Sequence, residues 1–259
     1  MKDEKSDPYA QTLMFYGLGV LFSFIITLFR GGFHYQVSLE QMPLFLLLTI
    51  FATAAPVLVF KAAKVLEASE SSIILSSQRL WLVLGAFIFL KEPFSVLKLI
   101  GTAIIILGIS IAQWKKGKFV INQAFCFLVI AALCYAICDV ISFNILRTFD
   151  VISFNIYFGI LTLLALLIIR PGTIQKLSFY LKPAYALNIF IVSINDTTAT
   201  LLQFFAYQIG RNASQIAPIM ATNTIITVLL GILILKETAN MRNKIVGAVT
   251  VVLGVLLVL

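Results

Sequence analysis

Long apolar runs separated by short polar breaks set the pattern of this chain. A helix needs about 20 mainly apolar residues to cross the hydrocarbon layer of a bilayer. Nine stretches approach that length: Gln11–Arg30, Pro43–Ala63, Ser72–Leu90, Leu97–Trp114, Ile121–Phe143, Ile152–Arg170, Ala184–Gln208, Ala213–Leu235 and Lys244–Leu259. The breaks carry residues that end helices or turn the chain, among them Gly31-Gly32, Pro93, Pro171-Gly172, Pro183 and Gly210. Membrane β-barrel strands would be short and alternating, and these runs are long and continuously apolar. The linkers are too short to hold a soluble domain. The pattern therefore predicts an all-α integral membrane protein with about nine transmembrane helices.

Composition agrees. Of 259 residues, 61% are hydrophobic, and the mean hydropathy is +1.04. A soluble domain of this size could not hide so much apolar surface. Charged residues are only 12% and fall mostly between the runs. The formal net charge of +8 reads as topology signals and lipid-headgroup contacts rather than as a nucleic-acid surface, because the basic residues cluster at helix ends, as at Lys115, Lys116 and Lys118. Cys126, Cys134 and Cys138 lie in one apolar run with no metal-ligand spacing, and Cys134 and Cys138 share a helix face, where a disulfide is unfavourable. The N-terminus, with Asp3, Glu4 and Asp7 beside Lys2 and Lys5, does not read as a signal peptide.

The chain also repeats itself. At a constant offset of 145, Ala68-Ser69 matches Ala213-Ser214, Val83-Leu84 matches Val228-Leu229, and Leu90-Lys91-Glu92 matches Leu235-Lys236-Glu237. Eight of the 25 positions from Ala68/Ala213 to Glu92/Glu237 are identical. After one inserted residue, Gly101 and Gly108 match Gly247 and Gly254. Upstream, Thr53-Ala54 matches Thr198-Ala199, Phe60 matches Phe205, and Phe154–Arg170 follows the pattern of Leu13–Arg30. The predicted division is residues 1–118, with four helices, and residues 119–259, with five; the partner of Ile121–Phe143 is missing from the first half. A five-helix unit repeated in tandem must be inverted, because five crossings end on the opposite side of the membrane. Inverted repeats are a recurring plan of secondary transporters.

An Ala-Ser opening, a helix ending in Leu-Lys-Glu and a following helix of the form Ile-Gly-x-x-x-x-x-Leu-Gly, occurring twice, resemble the drug/metabolite transporter superfamily in its EamA-like branch. The resemblance spans essentially the whole chain. It implies ten helices in two five-helix repeats, so this sequence departs from it by lacking the first helix. It also implies export or import of amino acids, metabolites, nucleotide-linked compounds or drugs, with no cofactor, in a bacterial cytoplasmic (inner) membrane. The partners it implies are a small-molecule substrate, a coupling proton or counter-substrate, and the lipid bilayer.

Ionisable groups inside a membrane cost roughly 2.5–3.5 kcal/mol each at a helix centre, so they mark function or a structural pair. Arg79 sits near the middle of Ser72–Leu90, next to Gln78. A guanidinium there should face a cavity and bind a carboxylate or phosphate; a structural ion pair or a snorkelling side chain is the alternative. Asp196 sits near the middle of Ala184–Gln208, and its repeat counterpart is Phe51, so the charge belongs to one half only. It reads as a proton-coupling carboxylate, an amine ligand or the partner of Arg79. Gln203 lies two turns further on the same face. Asp139 is closer to a helix end and shares a face with Tyr135, four residues earlier. Asn223 aligns with Gln78 across the repeat, which suits either a cavity wall or an interhelical hydrogen bond. These seven residues are the candidate substrate-binding set. Lys91-Glu92 and Lys236-Glu237 read as loop markers, and the recurrent glycines as flat stripes for close packing. No phosphate-binding glycine loop with its lysine is present, and His34 is the lone histidine, so no ATP-driven pumping and no enzymatic activity are expected.

Counting Lys and Arg by side, 13 fall on the side of Met1 and 5 on the other, with Arg79 set aside. The positive-inside rule then puts Met1 in the cytoplasm and Leu259 outside; the family resemblance implies the opposite, since ten helices with cytoplasmic ends, less the first, leave Leu259 in the cytoplasm. The expected function is a secondary transporter working by alternating access; the alternative, prompted by the missing helix, is a non-transporting relative or a subunit of a larger membrane complex.

Overall fold

The structure, a computed structural model, describes residues 6–30, 32–33, 37–38, 40–90, 96–115, 118–119, 121–210, 213–237 and 239–258. Gly31, His34, Lys91, Glu92, Pro93 and Arg211 lie outside the described residues. Among the described residues the chain forms ten α-helices: α1 (Pro8–Arg30), α2 (Met42–Ala62), α3 (Ala68–Leu75), α4 (Gln78–Leu90), α5 (Val96–Gln113), α6 (Gln123–Ile145), α7 (Val151–Ile169), α8 (Pro183–Gly210), α9 (Ala213–Leu233) and α10 (Met241–Val258). A 3-10 helix, Pro171–Phe179, follows α7, and Trp114-Lys115 pairs antiparallel with Lys118-Phe119. Eight of the nine expected spans each become one helix. Five helices, α1, α2, α6, α7 and most of α8, are long and apolar enough among the described residues to cross a bilayer. This is an all-α, multi-pass membrane architecture.

The ninth expected span does not stay whole. Ser72–Leu90 is divided into α3, of 8 residues, and α4, of 13, and neither alone reaches across the hydrocarbon layer. The break lies at Ser76-Ser77. There the backbone tightens to three-residue steps: Ser77 N–H donates to Ile74 C=O at 3.1 Å, Arg79 N–H to Ser76 C=O at 3.1 Å and Leu80 N–H to Ser77 C=O at 3.0 Å. The Ser76 hydroxyl donates to Ile73 C=O at 2.5 Å. Serine hydroxyls that bond nearby carbonyls offer the backbone an alternative to the helix ladder, and a 3-10 step inside a helix marks a hinge or a strained segment.

The chain divides into two compact units, Met1–Phe60 with Ile141–Arg211, and Lys61–Val140 with Asn212–Leu259. In the first unit, α1 packs against α7 and α8. The α1 and α7 pair is antiparallel and tied at both ends. Asp7, just before α1, accepts from Lys176 Nζ at 2.5 Å and lies 3.4 Å from Arg170 Nη1, just after α7. Asp150, just before α7, pairs at 2.7 Å with Arg30, the last residue of α1. Each aspartate also caps its own helix: Asp7 accepts from the Tyr9 and Ala10 N–H groups, and Asp150 from Ser153 N–H at 3.0 Å. A carboxylate at a helix N-terminus satisfies otherwise unpaired donors and meets the positive end of the dipole. Between the clamps, Asn155 donates to the buried Ser23 hydroxyl at 2.8 Å, and Phe45, Phe149, Phe154 and Tyr157 form an aromatic cluster.

In the second unit, α5 runs along α10, and α3 and α9 pack beside them. Their core is aliphatic: Ile73, Ile105, Val228, Val251 and Val255 are all fully or nearly fully buried. The recurrent glycines meet here. A Cβ added to Gly254 would sit 2.7 Å from the Gly101 carbonyl oxygen, and one added to Gly247 would sit 2.7 Å from that of Gly108. Gly101 thus faces Gly254 and Gly108 faces Gly247, so the two helices cross antiparallel at backbone contact. Repeat counterparts, α1 with α7 and α5 with α10, therefore pack antiparallel within their units, as inverted repeats require.

Candidate functional site

The break between α3 and α4 places Gln78 and Arg79 in the first turn of α4, facing Asp139 of α6. Gln78 Nε2 donates to Asp139 Oδ2 at 2.6 Å. Arg79 Nη1 lies 3.8 Å from the same oxygen, an ion pair whose side chains are 12% and 10% exposed. Among the described residues Arg79 Nη1 is buried and has no hydrogen-bond partner. A guanidinium carries five N–H donors, so the pair neutralises the charge without exhausting its donors. Tyr135 is half-buried one turn before Asp139 on α6.

The carboxylate that Arg79 meets in its own unit is thus Asp139, where the sequence had offered Asp196. Asp196 lies on α8, in the first unit, with its side chain exposed. Gln203, two turns on, donates to the Tyr207 hydroxyl at 2.6 Å. Asn223 is exposed on α9 and accepts from the Thr227 hydroxyl at 3.5 Å. Of the seven candidates, Gln78, Arg79 and Asp139 touch one another, Tyr135 and Asn223 belong to the same unit, and Asp196 and Gln203 belong to the other.

Beside the break, the second unit holds an open cavity of about 230 Å³. Ser77, Trp81, Ile106, Ile109, Phe125 and Val129 contribute to its walls, which are almost wholly apolar.

One polar residue at this end of the structure was read from the sequence only as a turn marker. Glu237, in the turn after α9, caps α3 from a distance of 168 residues. Its carboxylate accepts from Ala68 N–H at 2.7 Å, from Ser69 N–H at 3.0 Å and from the Ser69 hydroxyl at 2.5 Å. The preceding Lys236 adopts a left-handed φ of 56°, which turns the chain so that Glu237 N–H reaches Gly231 C=O. Lys244 is fully buried beside it, paired with Glu67. Burial alone would push the Glu237 carboxyl up, but the Ser69 hydroxyl, the two N–H donors and Lys244 hold it below the ordinary value. The signal in the sequence was the recurrence of Ala-Ser with Leu-Lys-Glu in each repeat; no spacing rule says that the Glu of one repeat reaches the Ala-Ser of the other. Among the described residues no group of His, Cys, Asp and Glu could hold a metal ion.

The comparisons with known proteins agree with this architecture. Twenty-seven solved chains match it in fold. One of them, a crystal structure, aligns over 97% of this chain and 87% of its own with a TM-score of 0.57, at 13% identity; likeness at that identity speaks for the fold alone. No curated protein matches the sequence. The model of the EamA-like transporter family matches twice, over residues 3–113 and 122–259. With both matches and the paired antiparallel helices in view, the chain belongs to the EamA-like transporter family, within the drug/metabolite transporter superfamily.

Proposed function

We propose that this chain is a secondary transporter that moves a small polar or amphipathic metabolite or drug carrying an anionic group by alternating access, with Arg79 as the group that receives the anion. The observation that carries the reading is the buried guanidinium at a helix break: its Nη1 faces Asp139 at 3.8 Å, beyond hydrogen-bond distance, and among the described residues has no hydrogen-bond partner. Discontinuous helices at membrane depth are tolerated where they face protein or a cavity, and in transporters they frequently build the substrate site. Gln78 and Asp139 hold the guanidinium in place and shape the same site, and the apolar cavity beside Trp81 suits the non-polar part of an amphipathic substrate.

Tyr135, Asn223, Asp196 and Gln203 complete the proposed substrate-binding set, with Asp196 as the carboxylate for a coupling proton. The two family matches support residues 1–118 and 119–259 as the two repeats. Membership of the family supports a bacterial cytoplasmic membrane as the location. The charge count supports an orientation with the Asp7 end of α1 in the cytoplasm. The clustering of Lys176 and Arg170 around Asp7 agrees with it, since the count assigns all three to one side.

The test is flux in proteoliposomes. A thermal-shift panel of amino acids, nucleotides and amines in detergent identifies compounds that bind, and these are then followed into vesicles. Arg79→Ala is expected to abolish uptake of the binding compound while the protein still elutes as a folded monodisperse species. Flux unchanged in that variant would remove Arg79 from the site.

A further inference from the structure

We infer that Glu237 is a positioning residue of transport: from the turn after α9 it grips the N-terminus of the half-helix α3 and thereby fixes the Ser76-Ser77 break and the Gln78-Arg79 pair behind it. The assignment of Gln78 and Arg79 to the substrate site rests on the function proposed above; the mechanical link does not.

The link follows from the size of α3. Eight residues make about two turns, and a helix this short is not stable by itself. Its far end is the tightened turn at Ser76-Ser77, where the regular ladder stops. A short helix loosened at one end keeps its depth and rotation only if the other end is held. Glu237 supplies three hydrogen bonds there, to Ala68 N–H, Ser69 N–H and the Ser69 hydroxyl. They come from a carboxylate, and charged acceptors make stronger hydrogen bonds than neutral ones. The carboxylate is itself anchored, because its own N–H bonds Gly231 C=O and Lys244 Nζ reaches the Glu237 carbonyl at 3.4 Å. Ser69 and Ile73 are fully buried, so α3 cannot turn about its axis without dragging core side chains, and a shift at its start must travel to its end.

Gly231 gives independent access to this grip. A Cβ there would lie 2.9 Å from Glu237 Oε2 and 3.4 Å from Ser69 Cβ. Gly231→Ala therefore displaces the carboxylate without removing it, while alanine is the better helix former on α9. An account in which the cap only stabilises α3, without positioning the break, predicts some loss of stability in this variant with labelling at the break unchanged.

The experiment reads the break directly. In the full chain in proteoliposomes, with Cys126→Ser and Cys138→Ala, a Ser77→Cys substitution is alkylated with N-ethylmaleimide, and the rate is followed by peptide mass mapping. Ser77 and the native Cys134 are both buried, so both should react slowly in the parent, and Cys134 reports any general loosening. Glu237→Ala and Gly231→Ala are each expected to speed labelling at position 77 at least tenfold with Cys134 unchanged. Glu237→Gln, which keeps an oxygen acceptor, should recover part of the protection. In matched vesicles that carry the protein with its native Cys126, Cys138 and Ser77, the two first variants should raise the KM of the transported compound at least fivefold with a smaller change in maximal rate. Labelling at position 77 that stays slow in both variants, or that rises in step with Cys134, overturns the inference. Changed labelling with Arg79→Ala flux intact would instead sink the assigned site and leave the mechanical link standing.

Discussion

A buried arginine among apolar helices is tolerated when a carboxylate accompanies it. Arg79 has the carboxylate, Asp139, and Gln78 shares the same oxygen. Removing one member of a buried pair strands the other, which costs about 3–5 kcal/mol. Asp139→Ala is therefore expected to destabilise the protein by about 3 kcal/mol. The double variant Arg79→Ala with Asp139→Ala should cost clearly less, as read by chemical unfolding in detergent. Additive losses in the double variant would show that the two side chains do not act as a pair. The residue types were legible in the sequence, because Gln78, Arg79 and Asp139 are polar where their surroundings are apolar. Their convergence was not. Gln78 and Asp139 stand 61 positions apart, and no periodicity relates residues on different helices.

At the scale of elements, apolar run length placed eight helices to within a few residues, since crossing a bilayer imposes a minimum length whatever the detailed sequence. The break between α3 and α4 escaped that measure. Hydropathy averages over a window, whereas the break is made by two serines and three short backbone steps. The glycine stripes were legible as packing surface, and the structure adds their partners. A Cβ on Gly108 would lie 2.7 Å from the Val251 nitrogen and 2.8 Å from the Gly247 oxygen. Both are backbone atoms, so the helices themselves would have to separate. Gly108→Ala and Gly254→Ala should each destabilise the α5–α10 pair by roughly 1–3 kcal/mol, despite the gain of up to about 1 kcal/mol in helix propensity. Gly172→Ala, on the exposed 3-10 helix with nothing within 4 Å of the added atom, is the matched control, and thermal midpoints in micelles compare them. Equal midpoints for all three variants would contradict backbone contact.

At the scale of the whole molecule, three carboxylates at helix ends bind distant parts of the chain together. Burial works against the charge of Asp7 and Asp150, yet Lys176, the Ala10 and Tyr9 N–H groups and Arg170 around Asp7 outweigh it. So do Ser153 and Arg30 around Asp150, and both carboxyls lie below the ordinary value, as does Glu237. A depressed carboxyl binds fewer protons folded than unfolded. Its contribution is therefore complete above the unfolded pKa, near 4, and is lost as pH falls through the folded pKa. The thermal midpoint should stay level from pH 7 to about 5 and fall below about 4. Asp150→Asn should lower the midpoint at pH 7 and shrink the acid drop. A midpoint unchanged between pH 5 and 3 would dismiss the clamps as stabilising contacts.

The sequence by itself determined membrane residence, eight of the nine helix spans, the internal repeat and the inversion it entails, because hydropathy, span length and parity of crossings are properties of a linear string. Only the tertiary structure decided which repeat counterparts touch, that Asp7 and Asp150 each clamp the end of the other's helix, that Arg79 is matched by Asp139, and that Glu237 holds α3. Those are meetings of short-range groups from distant positions, and their energies depend on distances that no spacing along the chain encodes.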